Sequence, residues 1–231
     1  MAIRYKKSLF QTNDVYTVHK YKNREEWLKG RVSGIGGSDA SAALSRNPWR
    51  TNLELWQLKT GKIKAADISN DERVKYGQNA EDGIRRIYQA KKAGKIDVHY
   101  DPDTVLENNA HRELLYSPDG LLQEVETGRC GILEVKTATP ILASQREKWA
   151  NGNIPENYFI QVLHGMNVTG FDFVDLIAEL TFSEDYSQLR IYHIERTDVI
   201  AELEYVQNGI LDFWKNYVLT DREPPLALPA I

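Results

Sequence analysis

Hydrophobic and polar positions divide the chain into stretches of two periodicities. Apolar residues recur every three or four positions in REEWLK (24–29), DASAALSR (39–46), TNLELWQLKTG (51–61) and, at greatest length, 71–93, which stops at Gly94. Pro48 ends the second of these. Thr51 or Asn52 caps the third, and Gly61 closes it. Alternation over 97–101, 111–116, 119–124 and 131–137 predicts strands joined by turns. A short helix over 144–150 and another from Pro155 to about Gly170 follow. Two further strands are expected in FDFVDLIAEL and QLRIYHIE, then a long amphipathic helix over 197–218. Prolines interrupt the tail DREPPLALPAI, so it is not helical throughout. Helices, a mixed sheet, a helix across it, two more strands and a closing helix predict one α/β or α+β domain over 1–231. It has a basic helical N-terminal part (about 1–65) and a Pro-containing tail (about 220–231). The chain shows no internal repeat, low-complexity tract or linker.

Several polar residues break this pattern. In the expected strand GILEVKT, Ile132, Glu134 and Lys136 share one face, and Leu133, Val135 and Thr137 the other. Asp119 follows a Ser-Pro turn at the start of the preceding strand, and pairing of the two strands as a hairpin would bring it towards Glu134. Close carboxylates repel, and one stays protonated unless a cation lies between them. Hard oxygens suit Mg²⁺. A neighbouring lysine orients or deprotonates a metal-bound water, or stabilises charge in a phosphoryl transition state. A bare ExK more often means a cross-strand ion pair on a solvated face; its spacing from SPDG favours the metal. Glu81 lies on the stripe Val74, Gly77, Ala80, Ile84, Ile87, Tyr88. Two accounts of it stand here: an i,i+4 pair with Arg85, or a metal shared with Asp119. Gln161 shares a helix face with Tyr158, Val162 and Gly165. There it either holds a water or phosphate oxygen or makes a helix-end polar contact. His164, on the same helix, reads as structural.

Composition changes this picture in two places. The net charge of −4 argues mildly against a nucleic-acid partner, but the charge is segregated. Residues 1–65 carry thirteen Lys/Arg against five Asp/Glu, and the remainder sixteen against twenty-eight. A basic part suits phosphates and an acidic part suits cations. The single cysteine, Cys130, excludes a disulfide framework, a four-cysteine zinc site and a cysteine-held iron–sulfur cluster, and points to a reducing cytoplasm. Absence of HxH and HExxH argues against a zinc hydrolase. No apolar run reaches membrane-span length, and MAIRYKKSLF lacks a signal-peptide core. The remaining motif is RVSGIGGSDASAAL, a glycine-rich turn entering a helix with Ser38 or Asp39 expected at its N-cap. Arg31 adds a bidentate phosphate ligand. The GKS/GKT ending of a Walker loop is missing, so ATP is not implied. By itself the motif reads as an ordinary capped turn. Arg46, Trp49 and Arg50 interleave charge and rings, which suits a DNA end or an unstacked base; Trp49 fits a core position equally well.

Taken in order, W27…GRVSGIGGSDASAAL, TNLELWQLKTG, GQNAEDGI, YSPDGL, ILEVKTATP and IPENYFIQVLHGMNVTG resemble the lambda-type phage alkaline exonucleases. These are also called YqaJ-like viral recombinases, within the PD-(D/E)xK nuclease superfamily. The resemblance covers roughly residues 25 to 170. It implies a restriction-endonuclease-like core and a 5′→3′ exonuclease acting on duplex DNA ends, with two Mg²⁺ or Mn²⁺ ions per active site. By match to the family's motifs, Asp119, Glu134 and the Val135 carbonyl would bind metal. Glu81 would serve the second ion, directly or through water. Lys136 would position and activate the attacking water, and Gln161 would orient the site. Arg31, Ser38 and Ser117 match a 5′-phosphate pocket. The resemblance further implies a ring-shaped homotrimer, a single-strand annealing partner, and a phage or prophage origin with action in the bacterial cytoplasm. The rivals are a related endonuclease, restriction-like or junction-resolving, and a non-catalytic DNA-end-binding module.

Overall fold

The computed structural model describes residues 5–66 and 70–228. Among them, β1 (Tyr16–Lys20) precedes three short helices, α1 (Arg24–Gly30), α2 (Gly37–Ala43) and α3 (Asn52–Lys59). The long α4 (Glu72–Lys91) leads to β2 (Ile96–His99), β3 (Thr104–Asn108), β4 (Leu115–Tyr116), β5 (Gly120–Glu124) and β6 (Cys130–Ala138). Then come α5 (Ala143–Glu147), α6 (Glu156–Thr169), β7 (Phe173–Ser183), β8 (Tyr186–Glu195) and α7 (Ile200–Phe213). The mixed α+β architecture expected from the sequence is present. No helix among the described residues is long and apolar enough to cross a membrane.

The strands form two sheets. The larger runs β2-β5-β6-β7-β8, with β6 and β7 parallel and the other pairs antiparallel. A parallel pair needs a crossover, which α6 supplies. The central strand β6 is packed on both faces. Leu133 and Val135 join Ile84 and Tyr88 of α4 in one apolar cluster, and Ile132 joins Ile160, Leu163 and Met166 of α6 in the other. Glu134 therefore projects towards α6, with Lys136 two residues on. The smaller sheet, β1-β3-β4, is antiparallel and lies beside α6.

Several sequence readings change. The stretch 111–116 opens with a turn at Arg112 and Glu113, and only Leu115 and Tyr116 form a strand. The strands β1 and β3 were not anticipated. They pair with each other from distant parts of the chain, Tyr16 opposite Asn108, so their stability comes from tertiary contact rather than local pattern. The basic N-terminal part thus contains a strand as well as helices. The closing helix begins only at Ile200, after a 3₁₀ turn, and ends in a π turn over Trp214–Val218. Ile87, placed on the buried stripe of α4, is instead exposed, and Arg85 takes the inward position.

The caps explain the helix boundaries near the site. Thr51 accepts from the Glu54 amide and Asp71 from those of Arg73 and Val74. At α2 the N-cap is Gly36, not Ser38 or Asp39, because the glycine-rich turn is stitched to the smaller sheet. The Ile35 amide donates to Glu113, and Leu115 donates back to Ile35. A Cβ on Gly34 would sit 2.5 Å from the Glu113 carbonyl oxygen, so only glycine allows that approach. The tail is clasped by Asn52, which donates to Pro225 and accepts from the Ala227 amide.

Candidate active site

One cavity of about 550 Å³ opens at the C-terminal half of β6. It is lined by Glu81 from α4, Asp119 just before β5, Glu134, Val135 and Lys136 from β6, and Gln161 from α6. Arg31, Ser38, Ser117 and Trp49 line the same cavity. The two groups singled out separately in the sequence share one chamber. Arg46 and Arg50 do not line it. Arg46 lies 3.6 Å from Glu156, and Arg50 pairs with buried Asp39 at 2.9 Å.

Glu134 is the hub. It is 1% exposed, and its Oε1 accepts from Lys136 Nζ and from Gln161 Nε2, both at 2.5 Å. Its Oε2 accepts from the Tyr116 hydroxyl at 2.7 Å. Asp119 Oδ2 accepts from the Val135 amide at 2.8 Å, which binds the start of β5 to the acid-bearing strand. Burial, then the charges of Glu134 and Glu81, push the Asp119 carboxyl well above the usual carboxylate range. Burial also raises Glu81, against the pull of Arg85. Burial alone would lower Lys136, but the Glu134 and Asp119 carboxylates outweigh it and hold the ammonium charged. The lysine is thus a hydrogen-bond donor in this arrangement, suited to a water or phosphate oxygen.

Glu81 has the helix partner that spacing allowed. Arg85, 1% exposed, donates to the Glu81 carboxylate. It also donates through Nε to the Asp119 carbonyl at 2.7 Å and stacks 3.6 Å from the centre of the Tyr100 ring. The ion pair is therefore present, and the same guanidinium links Glu81 to the Asp119 backbone. With each acid turned to a protein donor, no three acidic, histidine or cysteine side chains among the described residues converge as a ready metal shell. The donor chemistry nevertheless fits a hard divalent ion: the carboxylates of Glu81, Asp119 and Glu134 and the Val135 strand end line one cavity.

The opposite wall is cationic and aromatic. Arg31 donates to Ser38 Oγ at 2.9 Å and lies over the Trp27 ring, 4.6 Å from its centre. The Trp27 indole donates to Ser117 Oγ at 3.1 Å. Asp39 anchors this wall from behind, taking Lys59 and Arg50 each at 2.9 Å. Burial would raise its carboxyl, but Lys59 and Arg31 hold it below the usual range. Trp49 is 71% exposed and so is not core; its ring lies 6.3 Å from that of Tyr158, which in turn sits 5.2 Å from Lys136 Nζ. Sequence reasoning missed Tyr116, Tyr158 and the support that Trp27 gives Arg31. Tyr116 directly precedes SPDG, but nothing in its apolar strand setting announces a bond to Glu134.

Comparison with known proteins agrees with this architecture. Residues 26–172 match the YqaJ-like viral recombinase domain. Over 213 residues the chain is 28% identical to the uncharacterized protein YqaJ of Bacillus subtilis (strain 168), covering 92% of this chain and 62% of that protein. The chain thus spans less than two thirds of this relative's length. The crystal structure of the alkaline exonuclease LHK-Exo from Laribacter hongkongensis has the same fold, with a TM-score of 0.59 at 19% identity over 86% of this chain and 96% of that one. Its complex with dAMP gives 0.60 at 20% identity with the same coverage. With the domain match covering more than half its length, the chain belongs to the YqaJ-like viral recombinase domain family.

Proposed function

We propose that this chain is a metal-dependent 5′→3′ exonuclease that shortens one strand of linear duplex DNA from its end, for recombination by strand annealing. The observation that supports this most is the shared cavity: an acid–lysine–glutamine cluster and an arginine–serine wall face the same space. The structural neighbour LHK-Exo is an alkaline exonuclease, which agrees with this reading. The ring-shaped homotrimer, the annealing partner and a cytoplasmic site of action enter it through the family resemblance alone.

Asp119, Glu134 and the Val135 carbonyl would hold Mg²⁺ or Mn²⁺, with Glu81 serving a second ion. Bound there, such ions would lower the pKa of water and offset charge on the attacking and leaving oxygens of a phosphodiester. The chain's own groups supply the rest. Arg31, Ser38 and Ser117 receive a terminal 5′ phosphate through a guanidinium and two hydroxyls. This sets how far the end enters and favours ends over internal sites. Lys136 donates to the attacking water or the phosphate, and Gln161 holds Glu134 in place from α6.

The test is digestion of 5′-phosphorylated linear duplex beside closed circular duplex in Mg²⁺, resolved by strand. Loss of linear DNA alone, from 5′ ends, is expected. A cut circle would replace this reading with an endonuclease, and no digestion of either with an end-binding module. Glu134→Ala and Lys136→Ala are expected to bind ends without degrading them; digestion by both purified variants would remove the assigned site.

A further inference from the structure

Tyr116 has no part in the chemistry described above, yet it touches both walls of the cavity. Its side chain is 1% exposed. Its hydroxyl donates to Glu134 Oε2 at 2.7 Å, while Lys136 and Gln161 both take Oε1. Among the described residues, Tyr116 is the sole hydrogen-bond donor to Oε2. A carboxylate held by one oxygen still rotates about its terminal torsion, which is broad for glutamate; a donor on each oxygen fixes its plane.

The ring is itself fixed by missing side chains. A Cβ on Gly165 of α6 would lie 2.8 Å from a ring carbon, and one on Gly37, at the start of α2, 3.3 Å from the ring. The phenol therefore fills a slot between the helix that carries Gln161 and the one that carries Ser38. The next residue along, Ser117, takes the Trp27 indole, and Asp119 follows two residues later. His164 pins the preceding residue, with Nε2 2.8 Å from the Leu115 carbonyl. The short β4 segment is thereby held on both sides of Tyr116.

We propose that Tyr116 is a positioning residue: its hydroxyl sets the plane of the Glu134 carboxylate for a divalent cation, and its ring ties that setting to the wall formed by Arg31 and Ser38. This rests on the metal-dependent reading above. Groups that orient metal-binding carboxylates commonly alter affinity or activity by about 10–100-fold when lost.

Tyr116→Phe removes the hydroxyl and leaves the slot filled. The primary measurement is calorimetric titration of DNA-free wild type and variant with Mn²⁺ alone, with near-ultraviolet circular dichroism establishing an unchanged fold. About tenfold weaker Mn²⁺ binding is expected, together with a lower kcat at unchanged KM for 5′-phosphorylated duplex. A merely structural tyrosine would change melting temperature without moving Mn²⁺ affinity. Equal Mn²⁺ affinity in the two proteins would overturn the role of Tyr116 and leave the nuclease reading standing. Wild type that binds no Mn²⁺ would overturn both.

Discussion

Acid should destabilise this fold through His164, and the size of the effect follows from its surroundings. The imidazole is buried on α6, and its Nε2 lies 2.8 Å from the Leu115 carbonyl, so in the neutral ring this nitrogen carries the proton. Burial drives the ring's pKa down from 6.5 to about 4, outweighing the bond to Leu115, which acts the other way. A base with a lowered folded-state pKa binds fewer protons folded than unfolded between those two values. Its contribution to stability is then complete above pH 6.5 and is lost as pH falls through about 4. Over the whole window the loss is about 3 kcal/mol, and between pH 7 and pH 5 it is about 2 kcal/mol.

The perturbation is His164→Gln, and the assay is urea unfolding at pH 7 and pH 5. The variant will be less stable at both, since a ring is lost from a packed site. The informative quantity is the change with pH. Carboxylates such as Asp119 and Glu81 titrate in both proteins and cancel in the comparison. Wild type is expected to lose about 2 kcal/mol more than the variant on going from pH 7 to pH 5. Equal losses in the two proteins would refute the buried neutral ring. The consequence reaches the site, because the bond at risk holds Leu115, the neighbour of Tyr116.

Other perturbations separate pocket, packing and pairing. Arg31→Ala should weaken digestion of 5′-phosphorylated ends selectively, because its guanidinium faces the cavity beside Ser38; equal loss on 5′-hydroxyl ends in a rate comparison would count against the pocket. Gly34→Ala should destabilise by about 1–3 kcal/mol in denaturant unfolding, since its Cβ would press on the Glu113 carbonyl; an unchanged midpoint would mean that the turn relaxes freely.

The core of the site was legible because charge interrupted a strong pattern. Glu134 and Lys136 fall on one face of a strand whose neighbours are apolar, and alternation places them together whatever the rest of the fold does. Gln161 stood out among apolar residues at helical spacing, and Glu81 did too. What stayed hidden was contact across the chain. Tyr116 looks like any strand aromatic until α6 and α2 are packed around it. Arg85 is charged and was placed as a possible partner of Glu81, but its burial under Tyr100 needs β2 in position. The strands β1 and β3 escaped because each is short, partly polar, and stabilised by the other.

The same division explains how the site is built. Glu134 stands on β6 and Asp119 just before its hairpin partner β5, where a shift of one residue would turn Glu134 into the opposite apolar cluster. Register there is thus enforced by the core, and the carboxylates inherit it. The groups that adjust them come from elsewhere: Gln161 from α6, Arg85 from α4, Tyr116 from β4 and Arg31 from the turn before α2. None of these lies on the acid-bearing strands, so each can change how an acid is held without changing where it is. Substitutions of the acids should accordingly abolish chemistry outright, whereas substitutions of the surrounding donors should grade it. That contrast, measured as kcat across Glu134→Ala, Gln161→Ala and Tyr116→Phe in one assay, tests the division directly: three equally dead enzymes would show that the donors belong to the chemistry itself.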